Sequence, residues 1–293
     1  MDKILEIKDL SKQYKHFSLK EINFSLDKGY IMGFIGPNGS GKSTTIKLIM
    51  NLIKKDSGEI KVFGLDHEKD SLAIKDRIGF VYDENHFYEE LTVKEMKNIV
   101  RPFYSKWDED MFNEYREKFD LPLNKKIKHL SKGMKMKFSL LIALSHHAEL
   151  LIMDEPTSGL DPLIRSELLD VLQTLIQDEN KSVFFSTHIT TDLEKVADYI
   201  TFIHDGKIIF SKTKDELLEK FTVVKGRKEL LNECDAKQYF IGMKYNDFGF
   251  EALTGNRREI AMEFGDSVMF EKPTLEDIMI FFAKKGEKHV PSY

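Results

Sequence analysis

The segment Gly36–Thr44, GPNGSGKST, constrains the fold of this chain more than any other part of the sequence. It matches the pattern G-x-x-x-x-G-K-[ST] and lies between an apolar run, Tyr30–Ile35, that predicts a buried strand, and a segment, Thr44–Ile53, that predicts a helix. The glycines allow backbone N–H groups to turn inward around phosphate oxygens, and the helix directs the positive end of its dipole at the same anion. The sequence therefore predicts an open α/β sheet with a phosphate site where a strand meets a helix.

This segment supplies the candidate nucleotide-binding residues, which are Gly36, Pro37, Asn38, Gly39, Ser40, Gly41, Lys42, Ser43 and Thr44. We expect the Lys42 ammonium to reach the β- and γ-phosphates and the Ser43 hydroxyl to ligate Mg²⁺. Because GTPases, kinases, motors and transporters all use this motif, it predicts nucleotide binding without fixing the class of protein.

The hydrophobic pattern elsewhere predicts alternating strands and helices. Short apolar strands are expected before residue 36, at residues 149–153 and at residues 182–186, whereas the pattern between about residues 84 and 148 is helical. A helix with proline in its first turn is predicted near Pro162–Gln177, and Asp205-Gly206 between two apolar runs predicts a tight hairpin. These elements indicate an α/β domain that is interrupted by a helical insertion.

Near residue 222 the pattern becomes mixed and short in period, so we expect an α/β domain over residues 1–221 and a small mixed α/β domain over residues 222–293. The second domain carries nearly equal numbers of acidic and basic residues, and the net charge of the whole chain is -5. Both observations argue against a nucleic-acid partner, which a basic excess would indicate. The single cysteine, Cys234, excludes an intramolecular disulfide framework and a cysteine-rich zinc site.

The sequence also bears on membranes. The N-terminal residues have no basic region followed by an apolar run, so no secretion signal is expected. No stretch approaches the roughly 18 uninterrupted apolar residues of a membrane-spanning helix. We therefore expect any membrane role to come through a partner.

Two carboxylates end the predicted strand at residues 149–153. Asp154 and Glu155 lie where open α/β sheets place ligand chemistry, at the carboxyl end of a strand. Asp154 is a candidate for the Mg²⁺ shell, and Glu155 is a candidate to orient or deprotonate a water aimed at the γ-phosphate. His188 follows another predicted strand and is a candidate contact for the same phosphate. The alternatives are a turn after a core strand for the two acids and a structural role for the histidine.

Taken together, these motifs resemble those of the ATP-binding subunits of ABC transporters, over about residues 3–220. Residues 36–44 are similar to the Walker A motif of that family, residues 150–155 to its Walker B motif with the catalytic glutamate, residues 158–161 to its D-loop, and His188 to its switch histidine. Leu130–Met134, LSKGM, lies 23 residues before Asp154, where the family carries its signature, commonly LSGGQ. Tyr14 is placed like the aromatic residue that stacks on adenine, with an ordinary strand-end tyrosine as the alternative.

The resemblance implies a P-loop NTPase core of the ABC ATPase type, with an antiparallel β subdomain and the helical insertion. It implies that the chain binds ATP and Mg²⁺, dimerises on ATP and hydrolyses it, with Glu155 and His188 as catalytic residues. Each ATP is then held by the P-loop of one chain and the signature of the other, which adds Tyr14, Ser131, Gly133 and Asp161 to the nucleotide-binding residues.

The implied partners are a second ATPase subunit, identical or different, and an integral membrane permease. Such a permease would hold the chain at the cytoplasmic face of the membrane. Phe87 and Tyr88 would face the permease, or else form the core of the insertion. The short segment Pro273–Asp277 is similar to the C-terminal end of bacterial subunits in drug, antibiotic and peptide exporters, so we expect export.

Two motifs depart from the family's pattern. The signature has Lys132 for the first glycine and Met134 for the glutamine, although Ser131 and Gly133 are retained. Asp83 aligns with the family's Q-loop glutamine, with Glu84 and Asn85 as alternative alignments. An aspartate is shorter and charged, so Asp83 is a candidate Mg²⁺ ligand, or simply a loop acid.

A soluble ABC-family ATPase acting on the ribosome or on nucleic acid is the alternative function. Such proteins usually hold two cassettes or a long coiled-coil insertion, whereas this chain has one cassette and no heptad run. A GTPase is disfavoured because the Asn-Lys-x-Asp motif is absent. Like a small-molecule kinase, it would also leave LSKGM, the D-loop and His188 unexplained.

Overall fold

The computed structural model describes residues 2–83, 86–232 and 236–284, and it divides the chain into two compact units between Ser211 and Lys212. The domain boundary predicted after residue 221 lies further along the chain, beyond the helix Lys214–Lys220. The helix therefore belongs to the second unit.

Strands and helices are numbered in chain order. The strands are β1 Lys3–Gln13, β2 Ser18–Asp27, β3 Ile31–Ile35, β4 Ser57–Val62, β5 Leu65–Asp66, β6 Ile78–Val81, β7 Leu150–Asp154, β8 Ser182–Thr187, β9 Tyr199–His204, β10 Lys207–Thr213, β11 Thr222–Gly226, β12 Phe240–Asn246, β13 Gly249–Thr254 and β14 Val268–Glu271. The helices are α1 Lys42–Ile49, α2 Ser71–Lys75, α3 Val93–Val100, α4 Glu109–Lys118, α5 Lys132–Ser145, α6 Pro162–Leu175, α7 Thr190–Val196, α8 Lys214–Lys220, α9 Arg257–Phe264 and α10 Leu275–Ala283.

The first unit contains two sheets. Six strands form one sheet in the order β10-β9-β3-β8-β7-β6, and its pairs β9–β3, β3–β8, β8–β7 and β7–β6 are parallel. All residues of β3, β7 and β8 are buried, as expected for parallel strands that are covered on both faces. The second sheet, β2-β1-β4-β5, is antiparallel, as the resemblance predicts.

Aromatic packing joins the two sheets of this unit. The ring of Phe24 on β2 stacks on Phe184 of β8 with centroids 5.6 Å apart and lies 5.5 Å from Phe34 of β3. Phe34 and Phe184 are fully buried, and burying one such side chain contributes about 2–3 kcal/mol. These rings belong to a single core cluster that contains residues of both sheets.

The predicted helical insertion contains α3, α4 and α5. A capping box starts α3, in which the Thr92 hydroxyl accepts from the Glu95 N–H and the Glu95 carboxylate accepts from the Thr92 N–H. The Asp108 carboxylate caps α4, and the Ser131 hydroxyl caps α5 by accepting from the Met134 N–H. The serine of LSKGM is therefore the N-cap of a helix.

Two sequence predictions about local structure can be compared directly with the fold. The hairpin prediction is confirmed, because Asp205 and Gly206 join the neighbouring strands β9 and β10 with φ angles of 47° and 71°, the left-handed values of a type I′ turn. The predicted helix Thr44–Ile53 is wrong at both ends, since α1 begins at Lys42 and ends at Ile49. Asn51, at φ 50°, lies outside the helical region and stops the helix early.

The second unit is a mixed α/β unit. Its antiparallel sheet has the order β12-β13-β11-β14. Helix α10 packs against β12 and β13, so closely that a Cβ on Gly242 would lie 2.4 Å from the Phe281 carbonyl oxygen. A separate core cluster of this unit includes Val224, Phe250 and Ile260, so it has its own hydrophobic core.

Candidate ATP-binding and hydrolysis site

The strand order brings the predicted site residues to one edge of the parallel sheet. In the register of β3, β8 and β7, Ile35 lies beside Thr187, and Asp154 lies beside Ser186. The loops that follow β3, β8, β7 and β6 carry the P-loop, His188, Glu155 and Asp83, respectively. Because parallel strands end at the same edge, four segments that are distant in sequence become neighbours.

The P-loop positions Lys42 as the first residue of α1. Its Nζ donates to the Gly36 carbonyl at 2.7 Å and to the Pro37 carbonyl at 3.4 Å, and the side chain is 5% exposed. Gly36 must be a glycine, since a Cβ there would lie 2.3 Å from the Ile203 carbonyl oxygen. Gly41 adopts φ 114°, which a side chain would strain. The loop is thus a tight backbone turn around one ammonium group.

Glu155 connects this ammonium to His188. Its Oε1 lies 3.2 Å from Lys42 Nζ, and its Oε2 lies 2.8 Å from His188 Nδ1 and accepts from the His188 N–H at 3.3 Å. The residue has φ 48°, a conformation that costs a non-glycine residue about 1–3 kcal/mol. We call Lys42, Glu155 and His188 the sheet-edge cluster.

Ser186 supports both acidic residues, and sequence reasoning missed it. Its hydroxyl donates to Asp154 Oδ1 at 2.6 Å and accepts from the Glu155 N–H at 3.1 Å. The Ser186 carbonyl accepts from the same N–H, so the strained Glu155 backbone is held by two oxygens of one residue. Only the register between β7 and β8 reveals this role.

A pocket of about 660 Å³ opens at the sheet-edge cluster. Nine of the predicted residues line it, namely Asn38, Gly39, Gly41, Lys42, Ser43, Thr44, Asp83, Glu155 and His188. Three more residues line it, namely His16, Phe17 and Ser158. The sequence singled out Ser158 only as part of the D-loop, and it did not single out His16 or Phe17. The motif YKHF, which places a histidine and a second aromatic residue close to Tyr14, was the available signal for the first two.

Tyr14 does not line this pocket. Its side chain is 41% exposed and lies near the Lys12 ammonium, while its N–H donates to the Phe17 carbonyl. Phe17 instead packs beside the P-loop, because a Cβ on Gly41 would lie 2.9 Å from its ring. The role of Tyr14 in base binding stays a prediction, and Phe17 is a second candidate.

Ser131, Gly133 and Asp161 also lie outside the pocket lining, whereas Ser158 of the D-loop is part of it. Ser131 caps α5, and Gly133 lies against Ile164, where a Cβ would be 3.0 Å from the isoleucine side chain. The Asp161 carboxylate caps α6 by accepting from the Leu163 and Ile164 N–H groups at 3.1 Å. In a single chain these residues stabilise helix starts and do not join the P-loop pocket.

Asp83 lies between the P-loop pocket and a neighbouring cavity of about 300 Å³ that Lys132 and Lys135 also line. The Lys132 ammonium lies 3.5 Å from Asp83 Oδ1. Burial raises the pKa of the adjacent Tyr82, and the charge of Asp154 adds to the effect, so this phenol stays neutral at physiological pH. Glu84 and Asn85, the alternative Q-loop residues, lie outside the described part of the chain, as does Cys234.

Phe87 and Tyr88 differ in their surroundings. The ring of Phe87 lies 4.7 Å from that of the buried Phe138 on α5, so Phe87 packs within the insertion. Tyr88 is 68% exposed and is free to contact a partner.

The residues fit a divalent cation that is bound mainly through nucleotide phosphates. Among the described residues there is no group of three or more His, Cys, Asp or Glu side chains that could hold a metal ion. Mg²⁺ in nucleotide sites usually takes one or two protein oxygens, and the phosphates and water supply the rest. Asp83 Oδ1, which is buried and has no hydrogen-bond partner among the described residues, is one available oxygen. Asp154, a largely buried carboxylate, is a second.

Comparison with known proteins agrees with this geometry. The family described as "ABC transporter" matches residues 19–158. A bacitracin transport ATP-binding protein of Bacillus licheniformis is 34% identical over 223 residues, which are 75% of this chain and 73% of that protein. The chain belongs to the ABC transporter ATP-binding proteins. The resemblance inferred from the sequence is confirmed.

Solved structures place the fold in the same family. The structure described as the ATP-binding subunit of an ABC transporter is 30% identical, with a TM-score of 0.66 over 74% of this chain and 92% of that one. The ATP-binding cassette MJ0796, described as dimeric and bound to ADP and Pi after hydrolysis, shares the fold with a TM-score of 0.64 over 71% of this chain and 98% of that one, at 24% identity. The predicted α/β ABC ATPase fold is confirmed.

As a member of this family, the chain is an ATP-hydrolysing subunit of a membrane transporter. These relatives do not favour the alternative of a soluble ATPase for ribosomes or nucleic acid. In the described part of this ABC subunit, no helix has both the length and the apolar character needed to cross a bilayer.

Proposed function

We propose that the 660 Å³ pocket binds Mg·ATP and that the sheet-edge cluster hydrolyses it. The observation that carries this proposal is the position of Glu155, whose carboxylate contacts both the P-loop Lys42 and His188. A base within reach of a phosphate-binding lysine is positioned to act on a water beside the γ-phosphate.

Each member of the cluster has a defined part in the proposed reaction. The γ-phosphate takes Lys42 away from Glu155 Oε1, and this oxygen is then free to accept a proton from the attacking water. The water oxygen forms a bond to the γ-phosphorus, the bond from that phosphorus to the β-bridging oxygen breaks, and ADP leaves with the electron pair. His188, which is held at Glu155 Oε2, contacts the γ-phosphate oxygens and orients the carboxylate.

The cation is proposed to use oxygens of Ser43, Asp154 and Asp83. Mg²⁺, when bound, neutralises charge that develops on the β- and γ-phosphates. Ser186 fixes the direction of the Asp154 carboxylate through its 2.6 Å hydrogen bond. The P-loop residues Gly36 to Thr44 enclose the phosphates, and all of them except Pro37 have a backbone N–H to offer. Tyr14 and Phe17 are the candidate contacts for adenine.

We further propose that two chains share each ATP. Ser131, Gly133 and Asp161 lie outside the pocket lining of their own chain, so they are available to a nucleotide held by another. The N-terminus of α5 presents backbone N–H groups and a serine hydroxyl, and both suit a phosphate. The dimeric form of MJ0796, bound to ADP and Pi, supports this assembly.

The proposed partner of this dimer is an integral membrane permease, which would hold it at the cytoplasmic face of the membrane. Exposed Tyr88, in the loop between β6 and α3, is a candidate contact with the permease. Because one relative is named for bacitracin transport, we propose export of a peptide-like antibiotic or drug as the transport step.

The test uses the variant Glu155→Gln, which keeps the size of the side chain but cannot accept a proton. With ATP and Mg²⁺, this variant should form a stable dimer in light scattering after size exclusion, whereas with ADP it should remain monomeric. Glu167→Gln, which removes a carboxylate on α6 that pairs with Lys137, is the matched control and should behave as wild type. A Glu155→Gln chain that stays monomeric in ATP would refute the shared-nucleotide proposal.

A further inference from the structure

Two of the three residues at which this chain departs from the family's motifs contact each other. Lys132, in the signature, has its ammonium 3.5 Å from Oδ1 of Asp83, in the loop after β6. The side chains are 49% and 43% exposed, and ion pairs with this exposure add little to stability. The pair therefore opens easily. This suits an exchange of partners better than a role in stabilising the fold.

The Asp83 carboxylate is also incompletely satisfied. Its Oδ1 is shielded from water and makes no hydrogen bond with any residue that the structure describes, and its 3.5 Å separation from Lys132 is longer than the roughly 2.7–2.9 Å of a charge-assisted hydrogen bond. Because Asp83 also lines the P-loop pocket, a cation there would compete with Lys132 for this oxygen.

Lys132 is placed to act on a different nucleotide. It is the first residue of α5, next to the cap residue Ser131, at the helix end that the proposed dimer directs at the partner's ATP. Its ammonium also lies beside Gly159, where a Cβ would be 3.1 Å from Nζ. The glycine leaves room for this side chain between the Asp83 loop and the loop before α6.

We propose that Asp83 and Lys132 exchange partners when Mg·ATP binds. In the empty chain, Asp83 neutralises Lys132 and thereby weakens the attraction of the signature for phosphate. When the chain binds Mg·ATP, Asp83 turns to the cation in its own pocket, and the released Lys132 adds positive charge at the ATP of the partner chain. Nucleotide in one pocket thus prepares the signature of the same chain for the other nucleotide, which couples the two sites. This inference rests on the shared-nucleotide dimer proposed above.

The exchange predicts that the contribution of Lys132 to ATP-dependent dimerisation depends on Mg²⁺ and that Asp83 causes this dependence. The experiment uses the full chain with Glu155→Gln, which blocks hydrolysis, and measures the ATP concentration that gives half dimerisation in Mg²⁺ and in EDTA. Adding Lys132→Met should raise this concentration several-fold in Mg²⁺ and change it little in EDTA. Lys132→Arg, which keeps the charge, should restore most of the Mg²⁺ effect.

The second arm removes the negative partner. Asp83→Asn leaves Lys132 without its negative partner even when no cation is bound, so half dimerisation in EDTA should need several-fold less ATP than in the parent. Adding Lys132→Met to this variant should then raise the ATP concentration for half dimerisation several-fold in both Mg²⁺ and EDTA. Lys135→Met is the matched control, since Lys135 lines the same cavity but pairs with Glu89, and it should change nothing in any condition.

The outcomes separate the two proposals. A Glu155→Gln parent that stays monomeric in ATP would refute the dimer, and the exchange with it. A parent that dimerises, but in which the Lys132→Met effect is equal in Mg²⁺ and EDTA, or in which Asp83→Asn brings no gain in EDTA, would refute the exchange alone.

Discussion

The sheet-edge cluster and the Asp83–Lys132 pair are built differently, although Asp83 lines the same pocket as the cluster. In the cluster, Lys42 is 5% exposed and holds two backbone carbonyls, and Glu155 is 12% exposed and fixed by Ser186. In the pair, both side chains are close to half exposed and are joined by a single long contact. Lys42 and Glu155 are therefore held in place by buried contacts, although His188 is 48% exposed, whereas the pair is easily changed.

This difference follows from the elements that carry the residues. The cluster is attached to the ends of parallel strands that are buried on both faces, so their backbone positions are fixed by the core. The pair lies on a loop and on the first turn of a helix, where long side chains can turn at little cost. We infer that the sheet edge carries out the chemistry, while the pair reports the nucleotide state.

Glu155→Gln should cause the largest change in ATP hydrolysis, because it removes the proton acceptor of the sheet-edge cluster. General bases contribute about 10²–10⁴-fold to a rate, so kcat for ATP hydrolysis should fall by that amount. The measurement is phosphate release at saturating ATP. Hydrolysis at close to the wild-type rate would show that Glu155 is not the base and that the cluster serves binding alone.

Lys42→Ala should cause the second largest change, which is a loss of affinity for ATP. A hydrogen bond to a charged group contributes about 1.5–3 kcal/mol, so the Kd for ATP should rise roughly 10- to 150-fold. Isothermal titration calorimetry in the presence of Mg²⁺ checks this value. Lys47→Ala, on the same helix, is the control and should bind ATP as wild type. An unchanged Kd in Lys42→Ala would overturn the assignment of the P-loop.

Much of the sheet-edge cluster could be predicted from the sequence. Buried apolar runs identified β3, β7 and β8, and a motif residue follows each of them, so placing strand ends at one edge was enough to gather Lys42, Glu155 and His188. Their mutual contacts through Glu155 needed the strand order, since only the neighbouring positions of β3, β8 and β7 bring them together.

The pair could not be predicted in this way. Asp83 and Lys132 were each singled out as a departure from a motif, but they lie on elements that are far apart in the chain, and no periodicity relates them. The position of Phe17 in the pocket was missed for a similar reason, because its contact with the P-loop is made between the antiparallel sheet and the start of α1. Contacts between loops depend on tertiary packing, which local patterns do not encode.

Ser186→Ala tests how far the sheet edge around Asp154 and Glu155 depends on the Ser186 hydroxyl. The substitution leaves the buried Asp154 without its hydrogen-bond donor, which should lower the free energy of unfolding by about 1–3 kcal/mol and also reduce kcat several-fold. Ser182→Ala is the matched control on the same strand, because its hydroxyl accepts from the Gly29 N–H at the far end of β8. Ser182→Ala should lower the free energy of unfolding without lowering kcat. Equal losses of kcat in both variants would show that Ser186 acts only through stability.

Asp83→Gln should give the smallest effect, because it changes the half-exposed Asp83–Lys132 pair and leaves the sheet-edge cluster intact. The amide keeps an oxygen for the cation but loses the charge, so the Mg²⁺ concentration for half-maximal ATPase activity should rise about twofold to fivefold, in line with interactions at half-exposed sites. Glu89→Gln makes the same change in a carboxylate that lines only the neighbouring cavity, and its Mg²⁺ requirement should equal that of wild type. If both variants required the same Mg²⁺ as wild type, Asp83 would be a loop acid that never meets the cation. A complete loss of Mg²⁺-dependent activity would instead place Asp83 with the rigid residues of the sheet edge.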